Sequence, residues 1–183
     1  FDYLESKGKE AIIRNIWEPF KEMFEKACPS LDIEPAEISW DYVYSREKLA
    51  TLKGKKLHGK RNHINKFIQE HPDFEYKRLE PSMYDECIAV YDEWKEGKGL
   101  SETEFSNERR SVVLAITNME ALGLTGGVIK LDGKIKAFTI GERIREDVQL
   151  IHIEKADSEI NGLFPMINQQ YVLNECKDVE YIN

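Results

Sequence analysis

The segment at residues 126–140, GGVIKLDGKIKAFTI, predicts a β-hairpin. Two apolar runs, at 126–131 and 134–140, flank the dipeptide Asp132-Gly133. Asp-Gly between two such runs is the strongest short-range signal for a two-residue hairpin turn. The middle of the chain is therefore expected to hold two adjacent antiparallel strands.

The residues after the hairpin predict a strand, a helix and a further strand. The run VQLIHIE at 148–154 predicts the first strand, 165–176 the helix, and 179–182 the last short strand. A hairpin followed by a strand–helix–strand unit predicts a mixed sheet.

Upstream of the hairpin, the pattern predicts one strand and two helices. Residues 74–79 alternate as a strand does, a helix runs from the candidate N-cap Ser82 to Trp94, and a second helix spans 106–122. A loop with glycines and acids separates the helices at 97–104. The complete order of elements favours an α+β domain. The residues expected to face inward from the helices are Cys87, Ile88, Val90, Tyr91, Val112, Val113, Ile116, Met119 and Leu122.

The first third of the chain predicts elements outside that order. Apolar residues at three- and four-residue spacing predict a helix within 1–35, and Trp40–Tyr44 predicts a short strand. A helix preceded by Gly54 spans 54–71. Because one helix cannot build a core, we expect residues 1–40 to be the remnant of a preceding domain and 41–183 to form the main domain.

Charge is distributed unevenly along the chain. The net charge is -8, yet residues 46–66 hold eight Lys or Arg residues and one acid, Glu47. This segment would attract a polyanion that the rest of the protein repels. The alternative is that these residues form a solvated helix face, which is the usual arrangement of a run of charged residues. The basic residues are Arg46, Lys48, Lys53, Lys55, Lys56, Lys60, Arg61 and Lys66.

The cysteines and the apolar runs suggest a compartment. Cys28, Cys87 and Cys176 are odd in number, widely spaced and without a CxxC pair, which argues against a disulfide framework and a zinc site. No apolar run approaches the roughly 18 residues of a membrane span. We therefore expect a cytoplasmic protein with no integral membrane segment and no metal.

Several motifs resemble those of one known family. The stretch KGKKLHGKRNHINK at 53–66 resembles the GKK…KRNxxNK signature of the phosphatidylglycerol lysyltransferase C-terminal-like family, in the GNAT (acyl-CoA N-acyltransferase) superfamily. The matches run from about Asp41 to Asn183, and several of them are weaker. They are Asn107–Arg110, Gly126-Gly127, His152–Ala156, Gly162 and Met166–Asn168.

This resemblance implies a fold and a reaction. The family is built from two consecutive GNAT-like domains, so residues 1–40 would come from the first, and 41–183 would form the second with a leading basic helix. Related sequences continue beyond Asn183, which implies a GNAT-like domain truncated at its C-terminus. In the characterised branch the reaction is aminoacyl transfer from a charged tRNA to a lipid.

Two residues on the strand at 148–154 are candidates for catalysis. Period-two alternation places His152 and Glu154 on one face, together with Val148 and Leu150. A histidine beside a carboxylate can act as a general base on an acceptor amine. The alternative is a structural pair.

Donor binding is expected at the basic helix and at the loop after that strand. Lysine and arginine donate to the phosphates of CoA or tRNA, and the helix places Lys56, Lys60 and His63 on one side. GNAT enzymes hold the donor pyrophosphate in the loop, but here only Gly162 is present and Pro165 lacks an N–H, which weakens the case for acetyl-CoA. The candidate donor-binding residues are Lys55, Lys60, Arg61, Asn62, Asn65, Lys155, Gly162 and Asn168.

Two functions remain open. One is an acyl- or aminoacyltransferase whose donor is acyl-CoA or aminoacyl-tRNA, with no covalently bound cofactor. The other is a non-catalytic GNAT-like module that binds a polyanion or a protein partner.

Overall fold

The computed structural model divides the chain into two units, Phe1–Tyr42 and Val43–Asn183. The second unit contains every candidate site residue. Assignment of residues 1–40 to a preceding GNAT-like domain, and incompleteness at the C-terminus, stay predictions. The residues described are 2–9, 12–14, 16, 18–30, 32–37, 40–96 and 102–183.

The first unit contains short helices rather than the predicted helix over 1–35. Helix α1 spans Asp2–Glu5, and α2 spans Lys21–Ala27 after a 3₁₀ turn. Gly8 has a positive φ of 65° and ends the first helical segment. Pro19, in the 3₁₀ turn, cannot continue a helix from upstream but can start one. The prediction of one helix is therefore wrong.

The second unit is built on a mixed sheet of six strands in the order β1-β6-β5-β4-β3-β2. All neighbours are antiparallel except β5 and β6, which are parallel. The predicted strand at 40–44 shares only its last residue with the observed β1. The strands are β1 Tyr44–Ser45, β2 Glu75–Arg78, β3 Thr125–Leu131, β4 Lys134–Arg145, β5 Val148–Ala156 and β6 Tyr181–Ile182.

The hairpin prediction is confirmed. Strands β3 and β4 pair with Val128 opposite Phe138, and Leu131 opposite Lys134 closes the turn. Asp132 and Gly133 both have positive φ, at 49° and 76°. Two-residue turns of this type match the right-handed twist of the strands, which is why Asp-Gly favours them.

Five α-helices complete the described part of the second unit, and three of the predicted helix boundaries differ from those observed. Ser82 lies inside a 3₁₀ turn, so it does not cap the helix that follows. The later helix begins at 102, inside the predicted loop, whose residues 97–101 lie outside the described part. It ends at Thr117, so Leu122 falls in a turn and is 54% exposed instead of facing inward. The helices are α3 Arg46–Thr51, α4 His58–Glu70, α5 Tyr84–Glu96, α6 Glu102–Thr117 and α7 Leu163–Glu175.

Helices cover both faces of the sheet. On one face, α5 and α6 pack on strand residues such as Phe138 and Ile140. On the other, α4 and α7 pack on residues such as Ile129 and Ala137. The alternation of Ala137 and Phe138 between the two clusters is the period of two expected of a strand. Both faces of β4 are covered in its middle, where residues 137–141 are all buried.

The basic segment is divided between two helices. Leu52 adopts the left-handed conformation and ends α3, and Gly54, with φ 103°, leads into a 3₁₀ turn before α4. The predicted helix at 54–71 is thus confirmed for most of its length. Ile64 and Phe67 bury the inner side of α4, and Lys60, one turn before Ile64, is exposed at the edge of that side.

Candidate active site

A β-bulge in β5 determines where the candidate catalytic residues point. Opposite β4, Ile153 pairs with Ile140 and Ile151 pairs with Gly141. His152 lies between these pairs as an extra residue. A bulge of this kind interrupts the alternation of side chains along a strand.

The bulge separates His152 from Glu154. Beyond it, Ile153 packs into the α5/α6 core, whereas Ala156 packs into the α4/α7 core. Glu154 shares the α4/α7 face with Ala156, and its carboxylate accepts a hydrogen bond from Asn168 of α7 at 2.9 Å. The prediction that His152 and Glu154 share one face is therefore wrong.

His152 is paired across the sheet instead. Its Nε2 lies 3.0 Å from Oε1 of Glu142 on β4, and the two side chains are 38% and 35% exposed. The pair lies on the surface and does not line the cavity into which Glu154 points.

Lys155, a candidate for donor binding, points to the α5/α6 face. Its ammonium donates to Glu108 of α6 at 2.8 Å and lies 3.5 Å from the centre of the Trp94 ring. Tyr91 donates to the other carboxylate oxygen of Glu108. With a side chain only 12% exposed, Lys155 is held in the fold and cannot reach a donor in the cavity beside Glu154.

A cavity of about 380 Å³ lies between α4 and the start of α7. It combines charged and amide side chains with the apolar wall of Phe164 and Pro165. Four of the ten predicted site residues meet here. The lining residues are Lys60, His63, Glu154, Asn161, Gly162, Phe164, Pro165 and Asn168.

Glu154 is a titratable group of this cavity with a strongly shifted pKa. Burial raises the pKa of its carboxyl to about 7, while the hydrogen bond from Asn168 and the charge of Lys60 act in the opposite direction. Desolvation dominates because the carboxylate has lost water and gained only one neutral donor at hydrogen-bond distance. Near neutral pH this group both accepts and releases a proton.

Helix α4 is fixed against the start of α7 at Gly162. This residue has a φ of 84°, and a Cβ added there would clash with the carbonyl oxygen of His63. The ring Nδ1 of His63 lies 2.8 Å from Oδ1 of Asn161. Residues of α4, of β5, of the loop before α7 and of the start of α7 therefore line the cavity together.

The remaining donor candidates lie outside the cavity lining. Arg61 donates to the carbonyl oxygen of Leu52 and contacts His58, and Asn62 contacts the other nitrogen of the same ring. Lys55 and Asn65 are exposed. Their donor-binding roles stay predictions.

Sequence reasoning assigned no role to four lining residues. His63 was placed on the same side of the helix as Lys60, three residues earlier, and that spacing was the available signal. Asn161 carries no comparable pattern, because only the packing of α4 on α7 brings it beside His63. The sequence pattern places Phe164 in the loop before the helix and Pro165 at the helix start, with no positive sign of a binding role for either.

The fold defines the class of protein. A mixed α+β sheet with helices on both faces, containing a parallel strand–helix–strand unit, is a GNAT-like fold. The chain belongs to the family described as phosphatidylglycerol lysyltransferase, C-terminal, whose family model matches residues 1–183. No protein of curated function matches the sequence.

Three solved structures resemble the chain. A conserved protein of unknown function from Bacteroides thetaiotaomicron is 36% identical, with a TM-score of 0.84 over 100% of this chain and 62% of its own. The C-terminal domain of a candidate lysylphosphatidylglycerol synthetase from Agrobacterium fabrum is 17% identical, with a TM-score of 0.52 over 77% of this chain and 44% of its own. A predicted acetyltransferase with acetyl-CoA from Clostridium acetobutylicum is 10% identical, with a TM-score of 0.45 over 60% of this chain and 79% of its own. The chain thus spans less than two thirds of the first two proteins.

Among the described residues, no helix has the length and apolar content that crossing a bilayer requires. The cytoplasmic location stays a prediction.

Proposed function

We propose that the chain catalyses acyl or aminoacyl transfer in the α4–α7 cavity, with Glu154 as the general base. The donor is acyl-CoA or aminoacyl-tRNA, and the acceptor is an amine or a hydroxyl. The observation that carries the proposal is the half-buried Glu154 carboxylate, which faces a cavity and has a pKa of about 7. Membership of a lysyltransferase family and the GNAT-like fold support the same class of reaction.

The position of Glu154 suits proton abstraction. An efficient general base has a pKa near the working pH, because it must be largely ionised and still accept a proton strongly. Asn168 fixes one carboxylate oxygen and leaves the other for the acceptor. A perturbed carboxyl in a cleft is also the pattern expected of a functional site.

The basic surface beside the cavity supports an anionic donor. Lys60 lines the cavity, and Lys53, Lys55 and Lys56 are exposed on the segment that leads into α4. Ammonium groups attract phosphate without requiring a fixed geometry, so this surface suits the phosphates of either donor.

The direct test compares two carboxylates on opposite faces of the sheet. Glu154→Gln keeps the shape and the hydrogen bond from Asn168 but cannot accept the proton. We expect transfer from acetyl-CoA or aminoacyl-tRNA to fall by about 10²–10⁴-fold. Glu142→Gln, the matched control, should change the rate by less than about twofold. Equal losses in the two variants, or no loss with Glu154→Gln, would remove Glu154 from the reaction.

A second candidate function is a non-catalytic module that binds a polyanion. The contact between Gly162 and the His63 carbonyl favours it, because α4 lies against the start of α7, where the resemblance implies the donor pyrophosphate. Thermal unfolding with CoA, acetyl-CoA and bulk tRNA separates the two functions, since a ligand that binds only the native state raises the midpoint temperature of unfolding. A shift with tRNA that falls in Lys55→Ala and Lys56→Ala, without any transfer, would favour the module.

A further inference from the structure

We propose that His63 is the general acid of the transfer and that Asn161 orients its ring for this role. The inference rests on the proposed function, because it names the residue that donates the second proton transferred in the same reaction. It concerns a residue of α4, which is separate in the chain from the strand–helix–strand unit that carries Glu154.

The location of His63 is the first argument. Its side chain and Glu154 line the same cavity, but they belong to two different elements, α4 and β5. The backbone of α4 at His63 packs against Gly162, which fixes the position of the His63 Cα relative to the start of α7. An acid and a base from two elements can act on two different atoms of one bound substrate.

The hydrogen bond to Asn161 is the second argument. Oδ1 of Asn161 accepts, so Nδ1 of His63 carries a hydrogen in both the neutral and the charged ring. Nε2 is then the nitrogen that gains and loses the proton. His58 on the same helix differs, because both its ring nitrogens face side-chain nitrogens of Arg61 and Asn62.

The reaction balances with these two groups. The acceptor N–H or O–H gives its proton to the Glu154 carboxylate as its heteroatom bonds to the acyl carbon. The bond from that carbon to the sulfur or oxygen of the donor breaks, and Nε2–H of the charged His63 ring protonates the leaving atom. Proton transfer from Glu154 to His63 through water then restores both groups. Histidine is the side chain that most often transfers protons in enzymes.

Donors with different leaving groups test the assignment. In His63→Gln, transfer from acetyl-CoA or aminoacyl-tRNA should fall by about 10²-fold. Transfer of the same acyl group from its p-nitrophenyl ester should change by less than about threefold, because nitrophenolate leaves without a proton. Glu154→Gln should slow both donors. His71→Gln, at the other end of α4 and outside the cavity, is the matched control and should slow neither.

The outcomes are distinguishable. Equal loss on both donors in His63→Gln, or none on the natural donor, overturns the acid role while the proposed function stands. A wild-type protein that transfers from none of these donors overturns both proposals. Thermal unfolding of each variant shows whether a loss of rate reflects a loss of the fold.

The ring tautomer gives a readout that needs no donor. We expect ¹⁵N NMR to show His63 with its hydrogen on Nδ1 at high pH, and Asn161→Ala to shift the population toward Nε2–H. An Nε2–H ring in the wild-type protein, or no change in Asn161→Ala, would overturn the role of Asn161 and with it the proposed orientation.

Discussion

Lys155 and Glu154 are neighbours in β5, and the two faces of the sheet treat their charges differently. On the α5/α6 face, Lys155 has a carboxylate at 2.8 Å and an aromatic ring at 3.5 Å. On the α4/α7 face, Glu154 has one amide donor at 2.9 Å and an open cavity. A charge that the fold compensates stabilises structure, whereas a charge left short of partners is available for chemistry.

The largest effect on stability is expected on the α5/α6 face. Lys155→Met removes the ion pair and the cation–π contact and leaves Glu108 with less compensation, so we expect a loss of about 3 kcal/mol in the free energy of unfolding. Lys60→Met on the opposite face should cost less than about 0.5 kcal/mol. Urea denaturation of both variants gives the comparison. Similar losses would show that the two faces do not differ in the way described.

The next effect depends on pH and belongs to Glu154. Because its folded pKa is raised to about 7 from an ordinary 4.5, the native state binds more protons than the unfolded state between these values. The wild-type protein therefore loses stability as pH rises through this window. Glu154→Gln escapes the loss, so it should be more stable by about 1–3 kcal/mol at pH 8 and nearly equal at pH 4. A difference independent of pH would contradict the raised pKa.

A smaller effect concerns the amide that holds Glu154. The hydrogen bond from Asn168 lowers the pKa of this carboxyl against the effect of burial. Asn168→Ala should therefore raise that pKa further, by roughly half a unit to one unit. Carboxyl ¹³C NMR titration measures it, with the exposed Asn62→Ala as control. An unchanged or lower value would show that the hydrogen bond does not favour the charged form.

The smallest effect is expected for His152. Its pair with Glu142 is more than a third exposed on the histidine side, and exposed pairs contribute little. His152→Gln should change the free energy of unfolding by less than about 0.5 kcal/mol and the transfer rate by less than twofold. A tenfold loss of rate with intact stability would return His152 to the list of catalytic candidates.

The parts of the fold that follow from local chemistry could be predicted from the sequence. Asp132-Gly133 defines its turn through backbone preference, and the inward residues of α5 follow the helical period. The bulge at His152 has no such signal, because the alternation of apolar and polar residues at 148–154 is equally compatible with a regular strand. The pairing of His63 with Asn161 depends on helix packing between residues 98 positions apart. These two features determine the candidate site.

The bulge also shifts the two-residue alternation of side chains along β5 by one position. Before it, the odd positions Gln149 and Ile151 face α7, and after it the even positions 154 and 156 do. A regular strand with the same sequence would therefore exchange the two faces beyond residue 152. Glu154 would point toward the α5/α6 face, and Lys155 would enter the cavity as a cation where the chemistry needs a base. Transfer of a residue's role between homologous chains is then valid only when their alignment keeps this single extra position.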